Sequence, residues 1–70
     1  MIKLDIIRVF GGNVRKYRRL RGLTQEKLAE LSGLHRTYIS DIERYQRSIS
    51  LENIQRLAEV LEIDVYKFFM

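Results

Sequence analysis

The sequence predicts an all-α fold, a compact bundle of five short helices. Three observations lead there. Apolar residues recur at three-and-four spacing along most of the chain, strand-type alternation is nowhere sustained, and capping residues or glycines punctuate the periodic segments. Seventy residues bury a single core, so one domain over residues 1–70 is expected. With no cysteine, neither a disulfide nor a thiolate metal site can supplement that core, and helix packing or dimerisation must do so.

The first segment runs from about Leu4 to Arg21 and places Ile7, Phe10, Val14 and Tyr17 on one face, with Gly22 as its C-terminal stop. The Gly11-Gly12 pair inside it costs about 1 kcal/mol per glycine relative to alanine, which predicts a break or kink. Thr24 is an N-cap for a second helix through Leu31 or Ser32, with Glu26 where the helix dipole favours an acid, and Gly33 stops it. A third helix, about His35 to Arg44, buries Ile39 and Ile42. A fourth opens at Ser50 and buries Leu51, Ile54, Leu57, Ala58 and Leu61. A short fifth begins at Asp64, with Val65, Phe68 and Phe69 on its apolar side.

Charge sharpens the reading. The net charge is +4 and the isoelectric point about 9.8, a balance that suits nucleic acid. Residues 1–21 hold Lys3, Arg8, Arg15, Lys16, Arg18, Arg19 and Arg21 against Asp5 alone, whereas residues 51–70 hold Glu52, Glu59, Glu62 and Asp64 against Arg56 and Lys67. No apolar run approaches the roughly 20 residues of a membrane span and no leader peptide is recognisable, so a cytoplasmic protein is expected. A single histidine, no cysteine and no glycine-rich phosphate loop leave no catalytic or metal-ligating set, and no cofactor is expected. Arginine and lysine beside Ile, Val and Phe near the N-terminus could lie on an anionic membrane, but that leaves the other helices without a purpose.

Residues about 24–44 carry the functional pattern. Counting from Gln25, Ala29 is fifth, Gly33 ninth, Ile39 fifteenth and Ile42 eighteenth. A small residue at Ala29 lets two helices approach, Gly33 can take the left-handed turn, and Leu28, Ile39 and Ile42 pin both helices to the core. This is a helix-turn-helix. The third helix then presents His35, Arg36, Thr37, Ser40, Asp41 and Arg44 outward, a donor-rich surface suited to a major groove. Arg36 can bond guanine O6 and N7 bidentately, Thr37 can meet a thymine methyl or a base-edge acceptor, and Ser40 stands one turn further along the same face. Thr24 and Gln25 at the second helix N-terminus, and Tyr38, Arg44, Gln46, Arg47 and Ser48 around the far end of the third, fall where a duplex backbone passes.

Over residues 24–61, TQEKLAELSGLHRTYISDIERYQRSISLENIQRLAEVL, the chain resembles the phage-repressor (Cro/repressor, or Xre) helix-turn-helix family. The runs LHRTYISDIER and QRSISLENIQ make it most similar to the small controller proteins of restriction-modification systems. The resemblance implies a five-helix homodimer, bacterial or phage-encoded and nucleoid-associated. It would bind short pseudo-symmetric operators in double-stranded DNA and control its own operon and the endonuclease gene. It also implies backbone contacts from Gln25, Tyr38, Arg44 and Arg47, base contacts from Arg36 and Thr37, and a structural ion pair between Arg18 and Glu43. Two residues depart from the pattern: Tyr45 stands where glycine or asparagine is usual, at a turn where positive φ is expected, and His35 replaces the usual capping residue. Activation would require a surface that touches RNA polymerase, for which Asp41 and Glu43 are the acidic candidates, although Glu43 is already assigned to Arg18. Ile63, Phe69 and Met70 are the expected dimer interface, with Val65 and Phe68 claimed by the core. An antitoxin or prophage repressor that binds a partner protein is the competing reading.

Overall fold

In the computed structural model, which describes residues 5–70, four α-helices follow one another with short connections: α1 Ile6–Leu20, α2 Gln25–Ser32, α3 Arg36–Glu43 and α4 Leu51–Leu61. A single 3-10 turn, Val65–Phe69, stands where a fifth helix is expected. Its Asp64 makes no side-chain cap, and Asn13 Nδ2 of α1 donates to the carbonyls of Phe68 and Met70 at 2.8 and 3.3 Å, which draws the segment onto α1 instead of extending it. Leu4, where the sequence reading opens the first helix, and Lys3 of the basic run lie outside the described residues. Among those residues no helix is long and apolar enough to cross a membrane.

The helix starts follow their caps. Thr24 Oγ1 accepts from the Lys27 N–H at 3.0 Å and Ser50 Oγ from the Asn53 N–H at 3.2 Å, while Asp5 accepts from Arg8 at the head of α1. All four helices end alike, in a left-handed residue flanked by paired backbone bonds back to the last turn. Gly22 (φ 68°) and Gly33 (φ 74°) serve α1 and α2, but Tyr45 (φ 63°) and Glu62 (φ 55°) serve α3 and α4. The two non-glycine stops are held by contacts elsewhere. Arg8 lies over the Tyr45 ring at 4.7 Å, and Arg21 forms an ion pair with Glu62.

One hydrophobic cluster draws on every element: Phe10 and Val14 of α1, Leu28 and Ala29 of α2, Ile39 and Ile42 of α3, Ile54, Leu57, Ala58 and Leu61 of α4, and Phe68 of the 3-10 turn. Three expectations fail here. First, α1 runs unbroken through Gly11 and Gly12, because the missing side chain admits α3: a Cβ on Gly11 would stand 2.2 Å from the Ile42 carbonyl oxygen. Second, Leu51 is 81% exposed, since as the first residue of α4 it projects beyond the core that Ile54 reaches one turn later. Third, Val65 is exposed, because the tight five-residue turn sends only Phe68 inward, where it packs on Phe10 at a ring separation of 4.9 Å.

Candidate nucleic-acid interface

The helix-turn-helix is set by the residues that predict it. Ala29 is buried against its neighbours, Gly33 is left-handed, and Leu28, Ile39 and Ile42 have essentially no exposure. What holds the pair to α1 is a buried polar knot. Arg18 donates Nε to Glu43 Oε2 at 2.7 Å and Nη2 to Oε1 at 2.9 Å, and its Nη1 donates to the Leu23 carbonyl at 2.8 Å. Gln25 Nε2 adds a third bond to Glu43 Oε1 at 3.1 Å. The Glu43 side chain is 3% exposed and that of Arg18 12%, so the pair works at low dielectric with its donors and acceptors matched. The bond to Glu43 holds the Arg18 guanidinium above its ordinary range, against the opposing effect of burial. One clamp thus joins α1, the start of α2 and the end of α3.

With that face inward, the opposite face of α3 is open. Arg36 and Thr37 are exposed in its first turn, Ser40 is half-buried one turn on, and Arg44 is exposed at its end. His35 occupies the N-cap position without bonding the helix through its side chain. Beside it a cleft of about 430 Å³ is lined by Leu34, His35, Thr37, Tyr38, Arg47 and Asn53. The Arg47 guanidinium lies 4.8 Å from the centre of the Tyr38 ring, and Asn53 Nδ2 donates to the Tyr38 hydroxyl at 3.1 Å. The structure therefore groups Thr37, Tyr38 and Arg47 around one cleft, and Arg36 is exposed in the same first turn of α3 but does not line it. Thr24 and Gln25 stand at the head of α2, with one amide proton of Gln25 committed to Glu43. Gln46 and Ser48 are exposed on the loop after α3.

Several roles differ from the sequence reading. Asp41, placed there with the outward polar residues, accepts from Arg44 Nη2 at 2.8 Å and lies 3.8 Å from Arg47 Nε. Arg21, counted with the general positive charge, donates Nε to the Leu61 carbonyl at 2.9 Å and so closes the end of α4. Neither Asp41 nor Glu43 is a free acidic surface for a polymerase, since both are paired within the chain. Asn53 carried no signal beyond its polarity on the inner side of α4. The three expected interface residues also separate. Ile63 packs against the core, whereas Phe69 lies beside Phe10 on an apolar groove of about 290 Å³ shared with Ile6, Ile7, Ile49, Leu51 and Ile54. Met70 is 80% exposed.

Comparison with known proteins agrees with this geometry. A helix-turn-helix family model matches residues 14–68. The chain is 47% identical over 64 residues to the control protein C.SmaI of Serratia marcescens, covering 91% of this chain and 76% of that protein. It is 48% identical over 56 residues to the control protein C.BamHI of Bacillus amyloliquefaciens, covering 79% and 69%. Among solved structures, the restriction-modification controller protein C.AhdI of Aeromonas hydrophila superimposes with a TM-score of 0.87 at 46% identity, over 90% of this chain and 96% of that one. The controller protein C.Esp1396I, solved as a tetramer in complex with its natural 35 base-pair operator, superimposes with a TM-score of 0.84 at 34% identity, over 96% and 88%. The chain belongs to the helix-turn-helix family of DNA-binding transcriptional regulators and is of the restriction-modification controller type.

Proposed function

We propose that this protein is a sequence-specific regulator that binds inverted-repeat operators as a homodimer, in the bacterial cytoplasm, and controls its own gene and that of a restriction endonuclease. The observation that carries the reading is the fixed α3. The Arg18–Glu43–Gln25 knot locks its inner face, which leaves Arg36 and Thr37 exposed in its first turn where a groove-bound helix reads bases. Ser40 extends that reading face. Thr24, Gln25, Tyr38, Arg44, Gln46, Arg47 and Ser48 supply phosphate contacts, which position the helix without reading sequence.

A monomer covers one half-site. Two-fold pairing would set two copies of α3 about 34 Å apart, one turn of the duplex. The surface best suited to pairing is the groove of Ile6, Ile7, Ile49, Leu51 and Phe69, with Met70 beside it in sequence, because it gathers large exposed apolar side chains that a monomer would leave wet. Ile63 is left to the core.

The test is a selection from randomised duplexes at about physiological salt, followed by sequencing of the bound pool. An inverted repeat with half-sites one turn apart is the expected result. A pool without a motif would refute sequence reading and leave binding of a partner protein as the main role.

A further inference from the structure

Five side chains form a continuous chain of contacts across the outer end of the helix-turn-helix: Arg44 to Asp41, Asp41 to Arg47, Arg47 to the face of Tyr38, and Tyr38 to Asn53. The link between its two arginines is an acid. Asp41 lies on α3 one turn beyond Thr37, its side chain is 20% exposed, and among the described residues its carboxylate pairs with Arg44, by a hydrogen bond of 2.8 Å, and with Arg47 at 3.8 Å, two of the arginines proposed above to contact phosphate. A carboxylate here repels phosphate and competes with it for two guanidinium groups. As a stabilising element it contributes little, because partly exposed ion pairs at this spacing have small effects on folding.

We propose that Asp41 is a specificity-determining residue of the DNA-binding surface: it holds Arg44 and Arg47 in one arrangement, and thereby suppresses binding to DNA that does not present phosphates in that register. The inference rests on the operator-binding reading above and extends it. On mismatched DNA the protein depends on mobile cations finding phosphates wherever they can, and tethering two of them to an acid removes that freedom while adding repulsion. On the correct site the same tether has a compensating benefit. Arg44 and Arg47 are already ordered, so docking immobilises fewer free rotamers, and this offsets the repulsion of the acid. Removing the acid therefore helps wrong sites more than the right one. Arg36 lies outside this network and keeps its own base contact in either case.

The test compares wild type, Asp41→Asn and Asp41→Glu on two duplexes, one carrying the inverted repeat recovered by selection and one of the same composition scrambled. Asp41→Asn should bind the scrambled duplex about 5-fold tighter, with a salt dependence steeper by about one ion, and the repeat less than about 2-fold tighter. Asp41→Glu keeps the charge and should retain most of the wild-type discrimination. Asp41→Ala provides a second neutral variant that must show the same fall, and each variant's thermal melt should match wild type. Equal gains on both duplexes would overturn the proposal, because Asp41 would then be a general charge only. Losses on both would overturn it too. Wild-type protein that fails to distinguish the duplexes would refute the operator reading before any variant is considered.

Discussion

The two adjacent glycines of α1 should respond to alanine with opposite signs. At Gly12 an added Cβ meets only the Tyr45 hydroxyl, at 4.0 Å, which is ordinary contact. Gly12→Ala should therefore gain the helix-propensity difference, about 0.5–1 kcal/mol. At Gly11 the same atom would lie 2.2 Å from the Ile42 carbonyl oxygen, 3.3 Å from its carbon and 3.0 Å from Cδ1 of Tyr45. Two of these atoms are backbone, so α1 and α3 must separate by about 1 Å to restore van der Waals contact. The Ile42 carbonyl also accepts from the Tyr45 N–H at 3.1 Å, so the displacement strains the turn that ends α3. Overpacking of this kind costs about 1–3 kcal/mol, and the rigidity of the obstacle puts Gly11→Ala near the upper end, partly offset by propensity. The net expectation is about 2 kcal/mol of destabilisation, or a fall in Tm of about 10 °C for a domain of this size, against a rise of about 4 °C for Gly12→Ala. Thermal and urea unfolding followed by circular dichroism, at one fixed protein concentration because dimerisation shifts apparent stability, would measure both. If the two variants shift Tm in the same direction by similar amounts, the close approach of α1 to α3 is not what Gly11 serves.

Other perturbations separate reading from positioning and from folding. Arg36→Ala should lose about 1–3 kcal/mol per half-site and relax preference at one base pair, as read by binding to single-substitution operators. Arg47→Ala should weaken all duplexes similarly and lower the salt slope by about one ion per half-site in a binding titration against salt. Glu43→Ala strands Arg18 and one amide of Gln25 and should cost about 3–5 kcal/mol in urea unfolding, while Arg18→Met with Glu43→Leu recovers most of it. The raised Arg18 guanidinium contributes stability that is fully present below its ordinary range and lost only as pH rises through the raised value. The Glu43→Ala penalty should therefore be equal at about pH 7 and pH 9. Tyr45→Ala keeps much of the cost of positive φ and loses the ring that packs on α1 and carries Arg8, so it should lower stability by about 1–2 kcal/mol in the same unfolding assay. Tyr45→Gly, which also removes the strain, should fall closer to wild type.

What was legible in the sequence was local. Thr24, Gly33 and Ser50 mark their helix ends by chemistry that involves only neighbouring residues, and all three act as predicted. The spacing of Ala29, Gly33, Ile39 and Ile42 defined the helix-turn-helix for the same reason. The Arg18–Glu43 pair spans 25 residues and was legible only through family resemblance, since nothing in the intervening chain announces it. Gly11 misled because propensity weighs a glycine within its own helix, whereas its use here is to admit the carbonyl of another. Leu51 fits the apolar period of α4 and still faces out, because periodicity assigns a face but not where along a helix the core begins. The Asp41–Arg44 pair stands at an i,i+3 spacing that could have been read directly. Its link to Arg47 depends on the path of the loop, which the local pattern does not encode.

That loop joins the two halves of the proposed activity. Arg47 lines the cleft beside His35 with Thr37, Tyr38 and Asn53, and it also borders the apolar groove with Ser48, Ile49 and Leu51. Pairing of two copies across the groove would therefore place Arg47 of each protomer, the arginine proposed to contact phosphate, within one side chain of the dimer contact. The loop is itself held at both ends, by the left-handed Tyr45 packed on α1 and by the Ser50 cap of α4. A substitution in the groove would then act on DNA binding by two routes, through loss of the second half-site and through displacement of Arg47. Only the first is recovered by raising protein concentration, because mass action restores the dimer but does not restore the loop. A residual defect at saturating dimer would thus report mechanical coupling between subunit pairing and the position of Arg47, and its absence would reduce the role of the groove to bringing two half-site readers together.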